Sequence, residues 1–215
     1  MSRHQSRGYT LVEAIVVVAL VVVVLGMALD ALIETNRAER VLSDQLLCAR
    51  EAQTIAQRVE EYLRSALTQS ADAAEYKANR LKFSAVKVGA PIDKITHEAE
   101  AGTALELKPE AVRVTIENDL ERRRVLAEEV PLNGPAKRNI LGNNADAYCA
   151  EVAFAYAESV ENFAPKWKDE LSTTPLLTKI TVRVWPRVAG FNSFEDARKA
   201  REPRYAEIDY WVRVR

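Results

Sequence analysis

One carboxylate stands inside the most apolar stretch of the chain. Glu13 follows Tyr9-Thr10-Leu11-Val12 and precedes sixteen residues, Ala14 to Leu29, that carry no polar side chain. Even on a lenient insertion scale, a carboxylate in such a span costs on the order of 2.5–3.5 kcal/mol. A cation placed beside it in the same layer attracts it more strongly than in water, because the attraction grows as the dielectric falls. The plain alternative is a Glu13 that lies at headgroup depth or takes up a proton. Upstream, Met1–Gly8 carries Arg3, His4 and Arg7 and no acid, and it ends in Gly8, a joint without a side chain.

Other candidates for chemistry are sparse. Of the two histidines, His4 falls in the basic leader, and His97 alone cannot supply a histidine-based zinc site or an H-E-x-x-H helix. There is no G-x-S-x-G turn and no phosphate loop, so neither a nucleophile elbow nor a nucleotide site is expected, and no cofactor or metal with them. Asn139, Asn143, Asn144 and Asp146 are oxygen-rich but lack EF-hand spacing and read as loop. Arg122-Arg123-Arg124 reads as a solvated strand edge. Cys48 and Cys149 allow two readings. In an oxidising compartment they could close a loop of about a hundred residues, worth about 4–5 kcal/mol in the chain-entropy model. Each is equally explained as a small buried hydrophobe.

The elements that position these residues follow from composition and period. The chain has 215 residues, 48% of them apolar and 28% charged, with only 7 Gly and 8 Pro, which excludes collagenous, low-complexity and wholly disordered classes. Thirty basic against 31 acidic residues leaves no excess for gripping phosphate backbones, so no nucleic acid is expected as a partner. Tyr9–Leu29 spans roughly 31 Å as a helix, enough to cross a bilayer. Arg3 and Arg7 before it and Asp30, Glu34 and Glu39 after it orient its N-terminus to the cytoplasm. A cleaved secretory signal is the rival, but Leu29-Asp30-Ala31-Leu32-Ile33-Glu34 fits a small-x-small site poorly.

Helical spacing then continues through Val41, Leu42, Leu46, Ile55, Val59, Tyr62, Leu63 and Ala66, with no Pro before Pro91. The spacing predicts one helix from about Tyr9 to about Thr68, or else two helices with a hinge near Asp30–Thr35. Residues 69–79 read as loop. Beyond Arg80 short alternating runs predict strands at 81–88, 104–107, 112–117, 151–156, 179–185 and 206–214. Asn118-Asp119 reads as a tight turn into a strand over 120–125, Val130–Ala145 as loop, and 190–203 as an insertion with a helical turn or two. The fold class is α+β, one long N-terminal helix against an antiparallel sheet. The expected segments are 1–8 as leader, 9–29 as membrane span, 30–68 as amphipathic helix and 69–215 as β-rich domain.

Arg7-Gly8-Tyr9-Thr10-Leu11-Val12-Glu13 resembles the class III leader of type IV pilins and type II secretion pseudopilins. In that family a short basic leader ends in Gly, and a prepilin peptidase cuts after it on the cytoplasmic face. The next residue, usually Phe, becomes an N-methylated terminus that leads through Thr-Leu-aliphatic-Glu into an apolar helix. The resemblance implies cleavage between Gly8 and Tyr9, methylation of Tyr9, and Glu13 as the fifth mature residue. Tyr in place of Phe keeps the aromatic ring and adds a hydroxyl. The freed ammonium of one subunit then matches the Glu13 carboxylate of the next, a register pin of the kind polar residues supply in coiled coils.

The C-terminal region is most similar to the J-type minor pseudopilins, and next to the W-type minor pilins. A hairpin reaches Leu120 and Arg122, Val125–Val130 follows, then a Phe-x-Tyr strand (Phe154, Tyr156), a loop with Trp167, Pro175-Leu176-Leu177 and a terminal strand. The resemblance implies a non-enzymatic structural subunit, held in the inner membrane and then built into the tip of a short periplasmic filament. Its partners would be other minor and major pseudopilins, the prepilin peptidase, the inner-membrane assembly platform and secreted substrates. The rivals are a minor pilin of a surface pilus and a membrane-anchored periplasmic enzyme or sensor.

Overall fold

A computed structural model describes residues 11–66, 74–87, 110–131, 134–161, 164–187 and 190–214. Helix α1 occupies Leu11–Arg64. The chain separates into two compact units, Met1–Ser43 and Asp44–Arg215.

In the first unit the helix runs unbroken through residues 30–35, so the hinge alternative does not occur. Its only interior Gly is Gly26, and the apolar residues from Leu11 to Ile33 are exposed around the whole helix. A helix that is apolar all round has its natural neighbours in lipid or in other helices.

In the second unit α1 buries Cys48, Ala52, Ile55, Ala56, Val59 and Leu63, spaced by three and four residues. This face corrects the expected stripe. Ile55, Val59 and Leu63 are in it, but Leu46 is 66% exposed, and Leu42, in the first unit, is exposed too. The face is lined with Cys48 and alanines, small residues that let the sheets approach closely, and the large leucines nearby point elsewhere.

Strands β1 (Glu75–Lys77), β2 (Arg80–Lys87), β3 (Glu110–Asp119), β4 (Arg124–Pro131) and β5 (Lys137–Ile140) follow. With β9 (Glu170–Leu171) they form a six-stranded antiparallel sheet in the order β5-β4-β3-β2-β1-β9. Strands β6 (Tyr148–Ala157), β10 (Leu177–Pro186) and β11 (Ala206–Arg213) form a second antiparallel sheet with β10 in the middle. A small hairpin, β7 (Val160–Glu161) and β8 (Ala164–Pro165), and helix α2 (Phe194–Lys199) complete the described elements. The architecture is α+β, as expected. One core holds the α1 face together with Leu81, Phe83, Val114, Ile116, Val152, Phe154, Ile180 and Val182 from the two sheets, each strand supplying every second residue.

Several local expectations are corrected. Residues 75–77, read as loop, pair with β2, and residues 137–140, read as loop, pair with β4. Asn118 and Asp119 extend β3, and the turn lies at Leu120–Arg123. There Asp119 Oδ1 accepts from Arg122 N at 3.1 Å, and Arg123 takes a left-handed φ of 52°. The arginine triplet is not a solvated edge: Arg123 Nη1 donates to Phe191 O at 3.0 Å, and Arg124 is half-buried in β4. The expected strand at 104–107 lies outside the described residues. The helical turn expected in 190–203 is α2, capped by Ser193, whose hydroxyl accepts from Asp196 N at 3.1 Å.

Candidate functional site

The N-terminal site begins with the first turn of α1, which holds Glu13. A carboxylate there faces the positive end of the helix dipole. Gly8 and Tyr9 lie outside the described residues. From Leu11 onward α1 is long and apolar enough to cross a membrane, and none of the residues in its most apolar stretch is buried. Such a helix fits membrane anchoring of a globular C-terminal domain.

In the second unit, α1 presents a row of polar groups to the loop after β5. Glu51, buried on the helix face, accepts from Asn144 N at 2.9 Å through Oε1. Two turns on, Arg58 Nη1 donates to Ile140 O and Leu141 O at 3.2 and 3.1 Å, and Nη2 donates to Asn143 Oδ1 at 2.6 Å. The oxygens of this Asn-rich loop are thus gathered around a guanidinium. Among the described residues no group of three or more His, Cys, Asp or Glu gathers to hold a metal.

One turn further, Tyr62 Oη donates to Glu129 Oε1 at 2.6 Å, and Asn139 Nδ2 donates to the same oxygen at 3.1 Å. Burial, aided by the bond to Glu129, pushes the Tyr62 phenol up to about 12. These groups edge a groove of about 840 Å³ whose walls include Val112, Val114 and Leu141. From sequence, Tyr62 counts only as an apolar position of the helical stripe, and Glu51, Arg58 and Glu129 are not singled out, although a Glu set among the apolar positions 48, 52 and 55 is a readable signal for a buried carboxylate with a partner.

The two cysteines sit in different clusters, and both thiols are free. Cys48 lies in the main core, and Cys149 packs with Trp185, Phe194 and Ala197. Burial, with Asp44 and Glu51 adding to it, pushes the Cys48 thiol up to about 12, which keeps it protonated and unreactive.

Comparison with family models finds the prokaryotic N-terminal methylation motif over residues 3–29. No curated protein and no solved structure matches the chain. The matched segment takes in Gly8, Tyr9 and Glu13, and the motif indicates the type IV pilin-like class, pseudopilins included. It implies processing by a prepilin peptidase and assembly with other pilin-like subunits. The long apolar helix and the antiparallel domain are consistent with a pilin-like fold, and the motif is one found in structural subunits.

Proposed function

We propose that this chain is a minor pseudopilin, a structural subunit of the periplasmic pseudopilus of a type II secretion system, acting in its tip complex. The observation that carries the reading is the methylation motif at 3–29, which overlaps an apolar helix from Leu11 with Glu13 in its first turn. Residues 1–8 are the leader, cut between Gly8 and Tyr9 with methylation of Tyr9. Residues 9–29 hold the subunit in the inner membrane with the N-terminus cytoplasmic, residues 30–68 continue as the periplasmic helix, and residues 69–215 form the β-rich domain. The order of elements after Leu120 supports the J-type assignment. Partners are the other minor and major pseudopilins, the assembly platform and secreted substrates.

Glu13 sets register. Its carboxylate is costly in lipid, and the terminal ammonium of a neighbouring subunit offsets that cost at one axial stagger. Glu13→Gln tests this in cells that carry the peptidase and the assembly platform. The variant should insert and be cleaved as the parent is, while its recovery in sheared filaments falls at least tenfold. Normal recovery of the variant contradicts the register role.

A second reading, a minor pilin of a surface pilus, shares the same leader and helix. The neighbouring genes separate the two: a secretin and secretion ATPase accompany the first, a retraction ATPase the second. A membrane-anchored enzyme or sensor predicts instead that substituting Gly8 leaves function unchanged.

A further inference from the structure

The second sheet has two edges, and the fold treats them differently. On β6 the outward N–H groups of Ala150, Val152, Phe154 and Tyr156 each meet an acceptor outside the sheet. These are Arg123 O at 2.9 Å, Asn118 Oδ1, Ala78 O and Lys168 O, the last three at 2.8 Å. That edge is closed. The other edge is β11, which among the described residues pairs only with β10.

The ladder shows which groups of β11 face outward. Val214 N donates to Leu176 O at 3.2 Å, one step beyond the Leu177↔Arg213 pair. In an antiparallel ladder, bonded pairs alternate, so Val212, Tyr210, Ile208 and Ala206 bond to β10. Glu207, Asp209, Trp211 and Arg213 therefore turn their main-chain N–H and C=O groups to the open side. Ala206–Arg213 contains no Pro, Gly or Lys, and Glu207, Asp209 and Arg213 are its only charges. Its two acids are held by cations of its own sheet, Glu207 by Arg183 at 2.8 Å and Asp209 by Lys179 at 2.8 Å. They present little net repulsion to an incoming strand. Trp211, packed on Trp167 with ring centroids 5.6 Å apart, is nevertheless 59% exposed.

The side-chain order along this edge is acid, acid, Trp, Arg, and reversal sets the acid at one end against the Arg at the other. Antiparallel pairing of two β11 strands about Tyr210 sets Glu207 opposite Arg213 twice and Asp209 opposite Trp211 twice. It also brings together the outward main-chain groups of all four residues, and it covers the half-buried Ile208 and Tyr210 at the rim of the core. Opposite charges directly across an antiparallel pair are favourable, and like charges are not. We propose that β11 is a docking edge for a second copy of this chain, the two β11 strands joining antiparallel with Tyr210 on the two-fold axis, so that the two three-stranded sheets become one of six.

The test uses the full chain in detergent micelles, with molar mass read by sedimentation across a concentration series. Asp209→Pro removes one outward N–H per strand and leaves the bonds to β10 in place. Asp209→Ala removes the same side chain and keeps the N–H. The proposal expects dimers for the parent and for Asp209→Ala. For Asp209→Pro it expects a dissociation constant raised about tenfold or more, since two symmetric hydrogen bonds are lost. A parent that stays monomeric, or a dimer that Asp209→Pro leaves intact, overturns it; the second result would place the contact in the apolar helix. Should Asp209→Pro fail to fold, Tyr210→Cys decides. Cα atoms of a non-bonded antiparallel pair lie about 4.5 Å apart, so mild oxidation should link Tyr210→Cys into a covalent dimer. No crosslink overturns the proposal as well.

Discussion

Asn118, on β3, forms a two-bonded bridge to the backbone of Val152 on β6. Its Oδ1 accepts from Val152 N and its Nδ2 donates to Val152 O, both at 2.8 Å, so one side-chain amide imitates a strand partner and fastens the two sheets together. Removing it leaves two main-chain groups of a core strand without these partners. Asn118→Leu should therefore destabilise the chain by about 2–5 kcal/mol, read as a lower denaturant midpoint with an unchanged slope. An effect within about 0.5 kcal/mol, the usual range of neutral surface substitutions, would contradict the bridge.

Gly142 and Glu51 are coupled by contact. A Cβ on Gly142 would stand 2.5 Å from Glu51 Oε1, the oxygen that accepts from Asn144 N. Gly142→Ala should destabilise by about 1–3 kcal/mol through the displaced carboxylate. In a Glu51→Ala background the same change should be close to neutral, a coupling of at least about 1 kcal/mol in a double-mutant cycle. Additive effects would show that Gly142 is needed for some other reason.

Alkaline pH should weaken the fold. The thiol of Cys48 and the phenol of Tyr62 ordinarily ionise at 9.0 and 10.0, and in the folded chain both are held up to about 12. Both neutral groups contribute fully below pH 9. Between about pH 9 and 12 the unfolded chain releases protons that the folded chain retains, so stability falls as pH rises. Cys48→Ala should remove the part of the fall that starts near pH 9 and leave the part that starts near pH 10. Unfolding midpoints measured across this range check it, and a flat profile would contradict the burial of both groups.

The periodic parts of this fold were legible before the structure. The unbroken α1, the alternating strands at β2, β3, β6, β10 and β11, and the helical turn at α2 follow from side-chain spacing and from the absence of Pro. What escaped depends on partners distant in sequence. Asn118-Asp119 carries the composition of a tight turn, but β6 needs the Asn118 amide, so the strand continues and the turn falls on Leu120–Arg123. Leu46 looks like core and is exposed, because the buried helix face runs through Cys48, Ala52, Ile55 and Val59 instead. β5 is three exposed polar residues and an exposed Ile140, recognisable only by its pairing with β4. Arg58 looks like a solvent-facing charge until the loop it binds folds back onto it. Glu13 was legible for a different reason: a carboxylate in an apolar run needs an explanation wherever the rest of the chain goes.

A prepilin-type subunit would have its mature helix begin just upstream of Glu13. The most direct measurement is the intact mass and N-terminal sequence of the protein after co-expression with a prepilin peptidase. The account predicts loss of Met1–Gly8, a new terminus at Tyr9 and the mass of one added methyl group on it. A retained leader, or a terminus at any other residue, would contradict it.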